Sequence, residues 1–364
     1  MWRRRAFLKA AGAGFVASLL PQRASALADA EMVFASAMQK AQGGYGAVVL
    51  TETGKIIQSV DLPVRGHDVT YSPVTGRAVV FARQPGMFAV VFDPTGREAP
   101  ITLHAAEGRH FFGHGVFSPD GKLLYATEND FDNTRGVIGI FDVAGGYVRI
   151  GEFDTYGIGP HEIILLHDGK TFAIANGGIE THPDFGRAEL NLDTMDPSLS
   201  LVDRSDGHLI GQLRLSSDQH QLSIRHMVVD AQNRIWFGCQ YRGEESDKPQ
   251  LIGYATMDGD IRLIELPPDE LGGMRNYVGG LAISDDRRTI LASSPVGGAV
   301  LTIDAVTSQA KTLFELRSTC GAAPDPSGFV ITNGLGTMTG VAGSRVAEQQ
   351  FDFQFDEHLR RLQV

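Results

Sequence analysis

The stretch Gly113-His114-Gly115-Val116-Phe117-Ser118-Pro119-Asp120-Gly121-Lys122 decides the fold. It joins a histidine, a short run of strand-forming residues and a Ser-Pro-Asp-Gly turn. Variants of this unit recur along the chain, centred on His67, His161, His226, Gly280 and Gly321. Together with His114 they are separated by 47, 47, 65, 54 and 41 residues, which centre on the length of one four-stranded propeller blade. The repeat therefore predicts an all-β propeller.

Each interval contains four short runs of β-branched and aromatic residues with turn residues between them. In the unit at His114 these runs are 116–117, 123–127, 137–142 and 148–153. Because a propeller blade has four antiparallel strands, we assign them in order from the innermost strand to the outermost one.

The two ends of the chain predict how the ring closes. Three strand-like runs, 32–36, 47–51 and 56–62, precede His67 without an innermost strand of their own. The C-terminal segment 355–359, which contains His358, offers such a strand, and pairing it with the N-terminal runs removes two open sheet edges. We therefore expect one seven-bladed domain over residues 29–364, with six or eight blades as the alternatives.

The first 28 residues predict an export signal. Arg3-Arg4-Arg5-Ala6-Phe7-Leu8-Lys9 fits the twin-arginine pattern, an apolar run follows, and small residues near Ala26 and Ala28 offer cleavage sites. The apolar run is too short to span a bilayer. We expect a mature periplasmic protein without a transmembrane segment, exported by the twin-arginine route.

Composition excludes some classes of partner. A formal net charge of −11 without a basic stripe argues against nucleic acid binding. The two cysteines, Cys239 and Cys320, predict either one disulfide or two separate buried thiols, and neither would amount to a disulfide framework. We expect the protein to be a monomer.

Five of the repeat units carry a histidine at the equivalent position. Because the innermost strands of a propeller line its channel, we expect a ring of imidazoles at one mouth; its members are His67, His114, His161, His226 and His358. Neutral imidazole is a common ligand for zinc, copper and iron, so the ring is a candidate metal site. The alternative is that each histidine forms structural hydrogen bonds within or between blades, since duplication alone also repeats a residue.

The longest interval has its extra residues in the loop 176–198, which we expect to lie over this mouth. Loops of this length without regular structure are usually functional. Its polar residues, together with one arginine beside a ring histidine, are the candidate ligand contacts: Asn176, His182, Arg187, Asn191 and Arg225. The remaining histidines are expected to be solvated in loops or outer strands; they are His104, His110, His167, His208 and His220.

The leader, the Gly-His and Gly-Pro-His-Glu units and the loop that begins Asn-Gly-Gly-Ile-Glu-Thr-His-Pro-Asp-Phe-Gly-Arg together resemble a known family. The chain is similar to the bacterial twin-arginine-exported domain-of-unknown-function family 1513 over nearly its whole mature length. The resemblance implies a quinoprotein-like seven-bladed propeller. It also implies a role in periplasmic iron acquisition beside imelysin-like partner proteins. It carries over no catalytic residues. The usual aromatic-Asp-Asn-His ending of the family reads here as Phe355-Asp356-Glu357-His358.

We interpret the sequence first as a non-enzymatic periplasmic binding or accessory protein whose histidines hold a metal ion or a metal complex. A second interpretation is a metal-dependent enzyme, lactonase-like or an oxidoreductase, with Glu162 or Asp68 as the acid or base. A third is a protein-interaction scaffold in which the histidines are structural.

Overall fold

The computed structural model describes residues 21–364, and these form a ring of seven antiparallel sheets. The strands in chain order are β1 (Val33–Gln39), β2 (Tyr45–Thr51), β3 (Ile56–Leu62), β4 (Gly66–Ser72), β5 (Arg77–Ala82), β6 (Phe88–Phe92), β7 (Ile101–His104), β8 (Arg109–Phe117), β9 (Leu123–Asp130), β10 (Arg135–Asp142), β11 (Val148–Asp154), β12 (Pro160–Leu165), β13 (Thr171–Asn176), β14 (Ser198–Asp203), β15 (Leu209–Leu213), β16 (Leu222–Val229), β17 (Ile235–Tyr241), β18 (Ile252–Ala255), β19 (Ile261–Leu263), β20 (Gly280–Ile283), β21 (Thr289–Ser294), β22 (Ala299–Asp304), β23 (Ala310–Glu315), β24 (Thr319–Pro324), β25 (Phe329–Asn333), β26 (Thr337–Val341), β27 (Gln349–Gln350), β28 (Gln354–Phe355) and β29 (Arg360–Leu362).

Six blades consist of four consecutive strands each, which begin at β4, β8, β12, β16, β20 and β24. The seventh combines β1, β2 and β3 with the chain's last two strands: Met38 pairs with Phe355 in β28, and Val33 pairs with Leu362 in β29. This confirms the predicted closure and the predicted count of seven blades. The closing strands come from the opposite end of the chain and cover the edge of β1 that the N-terminal strands alone would leave open.

Two short helices accompany the strands: α1 (Pro21–Asp29) and α2 (Pro268–Met274). In α1, Ala26 is buried in the cluster formed by the N-terminal blade and its neighbour. The predicted leader, residues 1–28, lies mostly outside the described residues, and only its last eight positions fall in α1. No helix among residues 21–364 has the length and apolar character needed to cross a membrane.

The apolar core lies between adjacent blades. One cluster, for example, packs Tyr125 and Ile138 of one blade against Ile163 and Phe172 of the next. All four side chains are nearly inaccessible to solvent. Since both faces of each blade are covered by a neighbour, the middle strands are continuous apolar runs such as Phe172-Ala173-Ile174-Ala175.

Five innermost strands are irregular where they carry a histidine. In β4 the pairing shifts between Gly66 and Val69, on either side of His67, and in β8 it shifts between Phe111 and Gly115. The corresponding shifts fall at His161 in β12 and beside His226 in β16, and His358 lies in the gap between β28 and β29. Such a bulge re-aims a side chain, and here each one brings an imidazole toward the channel.

Two expectations about histidine placement are wrong. His114 and His226 lie in the middle of strands β8 and β16 rather than at their starts. His110, expected in solvent, is fully buried in β8, where Nδ1 lies 3.0 Å from the Phe111 carbonyl oxygen. Both differences have one cause, because β8 and β16 extend beyond the repeat unit and carry residues upstream of the unit into the blade.

Candidate metal centre

The five repeat histidines form one compact cluster at the propeller axis. Ring centroids lie between 4.6 Å apart, for His67 and His358, and 5.9 Å apart, for His67 and His161. His114 is central and lies 4.9 to 5.7 Å from each of the other four rings. None of the five side chains is more than 7% exposed. The predicted ring at the channel mouth is therefore a buried cluster.

Each imidazole has one buried ring nitrogen without a hydrogen-bond partner among the described residues; these atoms are His67 Nδ1, His114 Nε2, His161 Nδ1, His226 Nε2 and His358 Nε2. A buried polar atom without a partner costs free energy of folding, about 1–3 kcal/mol per group. Structural histidines, the alternative interpretation, would show both nitrogens satisfied. Five unsatisfied nitrogens in one cluster fit a cation that accepts their lone pairs.

Two triplets of this cluster converge closely enough to share an ion. The ligand atoms of His67, His114 and His161 lie within 4.8 Å of one another, as do those of His114, His226 and His358. Ligands that share one zinc-like ion, at bonds of about 2 Å, lie roughly 3–4 Å apart. The nitrogens therefore need to approach one another by about 2 Å at most to coordinate an ion.

Two carboxylates and an arginine orient the central imidazole. His114 Nδ1 donates a hydrogen bond of 3.0 Å to Asp68 Oδ2, and Glu162 Oε1 lies 3.8 Å from the same nitrogen. Arg360 bridges both acids, donating to Asp68 over 2.6 Å and 2.8 Å and to Glu162 over 3.1 Å. With Nδ1 protonated, His114 presents an unprotonated Nε2, which is the tautomer that a metal requires.

These contacts place the ionised carboxylates of Asp68 and Glu162 directly behind the histidines. Burial alone would raise the pKa of the Asp68 carboxyl, but Arg360 and the nearby imidazoles hold it well below its ordinary value. Burial likewise raises the pKa of Glu162, and its contacts with His226 and His114 outweigh this and lower it. Both side chains are ionised and buried, neither lines the cavity over the cluster, and their contacts position the histidines.

Four of the five imidazoles are held neutral. Burial lowers the pKa of His67, His161 and His358 well below the ordinary value, and repulsion between neighbouring rings lowers it further. Burial also lowers the pKa of His226, although Glu162 opposes the shift. Neutral imidazole is the form that coordinates metals, so the cluster is preset for binding near neutral pH.

A third group combines two histidines with a carboxylate at the edge of the cluster. The ligand atoms of His67, His358 and Glu357 lie within 4.8 Å of one another, and Glu357 Oε2 is 3.7 Å from His67 Nδ1. Arg83 holds the other carboxylate oxygen at 2.6 Å. Glu357 thus brings a carboxylate to the edge of the histidine cluster.

A cavity of about 510 Å³ lies over one side of the cluster. His67, His161 and Glu357 reach it from below, and the loop 176–198 contributes to its wall, as expected for that loop. The walls, including the part that the loop forms, contain four arginines, several uncharged polar residues and a few apolar side chains, among them Arg83, Arg187, Arg225, Arg242, Ser223, Tyr277, Phe112, Ile179 and Val296.

Of the five residues predicted to contact a ligand, the structure places two at the cavity and three elsewhere. Arg187 and Arg225 line the cavity, but Asn176, Asn191 and His182 do not. The Asn176 amide donates to the Thr155 carbonyl, and the Asn191 side chain ties the loop together through Glu180 N and Gly178 O. His182 accepts a hydrogen bond from Asp184 N. These three stabilise the loop because short polar side chains satisfy backbone groups that no strand pairs with.

Sequence reasoning missed Arg360, Arg83, Ser223 and Tyr277. Arg360 could have been found, because it follows His358 by two residues and residues two apart in a strand share a face. Tyr277 lies in the connection after α2, and only the three-dimensional structure brings it to the cavity.

The single described thiol has no part in the centre. Cys239 is a buried free cysteine, and burial raises the pKa of its thiol, so it stays protonated. Of the two predicted alternatives, one disulfide or two separate thiols, the structure shows a free thiol at Cys239. The side chain of Cys320 lies outside the described residues.

Fold and site together define a seven-bladed β-propeller with a buried histidine cluster under a charged cavity. Residues 60–362 match the family described as "Protein of unknown function (DUF1513)", and the chain belongs to that family. The resemblance noted from the sequence is thereby confirmed.

The comparisons with solved structures support the fold and nothing further. The search of solved structures matches 1317 chains, so the architecture is common and does not indicate a function. Among them is hydrazine synthase from Kuenenia stuttgartiensis, with a TM-score of 0.59, 15% sequence identity, and coverage of 85% of this chain and 94% of that chain. No curated protein sequence matches.

Proposed function

We propose that this protein binds a transition-metal ion at the five-histidine cluster. The observation that carries the proposal is the set of five buried imidazoles, each with an unpartnered ring nitrogen, within one cluster. Hydrogen-bonded carboxylates behind metal-binding histidines are the usual second layer of such centres, and Asp68 and Glu162 occupy that position.

The chemistry of the donor atoms narrows the choice of metal ion. Imidazole suits zinc, copper and iron, and the absence of thiolate among the donors of this cluster disfavours a soft ion such as Cu(I). The His67, His358 and Glu357 group is a two-histidine, one-carboxylate set, which is the type that holds Fe(II). We therefore propose iron as the ion and, from the family resemblance, periplasmic iron acquisition as the setting, with export by the twin-arginine route.

Metal analysis of the protein exported in its native host tests this proposal. We expect stoichiometric metal in the wild type and its loss in the His114→Ala, His161→Ala, His226→Ala triple variant. The matched control replaces three exposed histidines, His104, His167 and His208, with alanine and should keep its metal. Equal and negligible metal in all three proteins would contradict the proposal.

A second measurement covers the case in which the triple variant does not fold. A ligand that binds only the folded state raises stability by RT ln(1 + [L]/Kd), about 2.7 kcal/mol at a hundredfold excess over Kd. Chelator-treated wild type should therefore unfold at a higher temperature after Fe(II) is added under anaerobic conditions. An unchanged midpoint with Fe(II), Zn(II) and Cu(II) alike would rule out metal binding in the folded protein.

An enzymatic role is the second candidate, because the cavity reaches His67 and His161. Catalytic metal sites differ from structural ones in keeping a coordination position open to substrate, and these two ligands border such a space. Turnover of a lactone or a redox substrate that disappears in His161→Ala and persists in His208→Ala would establish it. If a broad substrate screen of the metal-loaded protein detects no turnover, the enzymatic role is contradicted and metal binding remains as the proposed function.

A further inference from the structure

The cavity carries positive charge on an otherwise acidic protein. Its walls contain four arginines, and the only carboxylates among its lining residues are Glu189 and Glu357. The chain as a whole, in contrast, has a formal net charge of −11. A concave positive site of this kind concentrates field lines and attracts anions.

The two acids compensate only two of the arginines. Arg83 donates to Glu357 over 2.6 Å, and Arg242 donates to Glu189. Arg187 and Arg225 have no ion pair and no hydrogen bond within the part of the chain that the structure describes, and the Arg225 Nε is buried. A guanidinium that is partly buried without a compensating charge is costly, as for Arg225, so the cavity favours a ligand that supplies the missing negative charge.

Arg225 owes its position to the bulge that also places His226. The pairing of β16 with β17 shifts between Ile224 and His226, so Arg225 is the extra residue and is left outside the strand register. Adjacent residues at a regular position would point to opposite faces, but at this bulge Arg225 lines the cavity while His226 lies in the neighbouring histidine cluster. The same β-bulge therefore positions both the Arg225 guanidinium and the His226 imidazole.

Two hydroxyl groups support the same ligand chemistry. The Ser223 side chain is fully buried and lines the cavity, and its Oγ has no hydrogen-bond partner within residues 21–364. Tyr277 also lines the cavity, and its phenol is a hydrogen-bond donor. Hydroxyl donors beside guanidiniums are the groups that bind an oxyanion.

We propose that the cavity binds a small oxyanion, an organic carboxylate or a phosphate, between Arg225 and Arg187 and above His67 and His161. Guanidinium binds both kinds of anion through paired hydrogen bonds. The apolar walls at Phe112, Ile179 and Val296 favour a ligand with a carbon skeleton, so carboxylates should bind more tightly than inorganic phosphate. Contact between this anion and an ion held by His67 and His161 rests on the proposed metal binding, whereas the anion site itself does not.

Titration calorimetry on the exported, chelator-treated protein tests the anion site without metal. The probes are succinate, inorganic phosphate and succinamide, a neutral molecule with the same carbon skeleton as succinate. We expect saturable binding of succinate, weaker binding of phosphate and none of succinamide. Binding of phosphate alone would still establish the oxyanion site and would identify phosphate as its ligand.

Two variants assign the binding to the unpaired arginines. Arg225→Gln and Arg187→Gln should each weaken succinate binding by roughly tenfold or more, the loss expected for one charged hydrogen bond. Arg187 is exposed, so its variant keeps the fold even if the buried substitution does not. Arg262→Gln, which removes a charge on the outer strand β19, is the control and should bind as the wild type does.

Two results would overturn the anion site. One is the absence of binding of both anions up to about 10 mM, and the other is binding that neither arginine variant changes. Metal content of Arg187→Gln, measured on the exported protein before the chelator is added, separates this test from the previous one. Metal retained with anion binding lost confirms the anion site on its own, and metal absent from every protein contradicts only the metal centre.

Discussion

Nδ1 of His114 lies 3.0 Å from Oδ2 of Asp68, and that carboxylate is held in turn by Arg360. The three residues come from β8, β4 and β29, which belong to three different blades. The chain's last strand therefore does two things: it completes the N-terminal blade, and it supplies the cation that keeps the carboxylates of the histidine cluster ionised.

Replacement of Asp68 with asparagine should weaken metal binding. The amide can orient the His114 ring, but it carries no charge to strengthen the imidazole as a donor, and changes of this kind typically cost 10- to 100-fold in metal affinity. Competition with a chromophoric chelator measures the affinity. The control is Asp258→Asn in an exposed turn, and equal affinities in the two variants would contradict the positioning role of Asp68.

The metal-free protein should lose stability as the pH falls below about 6.5. The pKa values of His67, His161, His226 and His358 are lowered in the folded state, so below that pH the unfolded chain binds protons that the folded chain does not. Each such histidine costs about 1.4 kcal/mol of unfolding free energy for a fall of one pH unit.

Urea unfolding of chelator-treated protein at pH values from about 7.5 down to about 5.5 measures this dependence. His67→Gln should reduce the slope of unfolding free energy against pH by the contribution of one histidine. His208→Gln, at an exposed position, should leave the loss of stability in place. A flat profile in the wild type would show that the cluster takes up protons in the folded state.

Gly113→Ala should destabilise the protein and disturb the cluster. Gly113 has a φ of 105°, which other residues adopt only with strain, and a Cβ there would lie 2.5 Å from Cδ2 of the His67 ring. Strain of roughly 1–3 kcal/mol is expected from the backbone alone. Thermal unfolding measures the loss. Gly146→Ala also has a positive φ but open space around the Cβ, so it should cost less, and an equal loss would mean that contact with His67 does not matter.

Removal of residues 354–364 should open the ring. The deletion takes away β28, β29, His358 and Arg360, and it exposes the edge of β1 that Phe355 and Leu362 cover. We expect aggregation and rapid proteolysis of the N-terminal blade. A control that lacks only residues 363–364 should resist protease as the full chain does. A protease-resistant monomer after the longer deletion would contradict the closure.

The repeat predicted more of this structure than composition could. Seven blades, the closing strand and the strand order within a blade all follow from the spacing of the Gly-His units, because a blade has a nearly constant length. The meeting of the histidines was predictable for the same reason, since equivalent positions in identical blades lie at equal distance from one axis. Arg187 and Arg225 were also identified from the sequence as candidate ligand contacts, and both line the cavity.

The sequence by itself determined the architecture and the membership of the cluster, since both depend on a period that can be counted along the chain. Only the tertiary structure decided the depth of the cluster, the tautomer of His114 and the unpaired state of Arg225. These depend on β-bulges and on partners from other blades, such as Asp68, Glu162 and Arg360. A bulge shifts the register by one residue and thereby changes which way a side chain points, and no periodic pattern in the sequence records that shift.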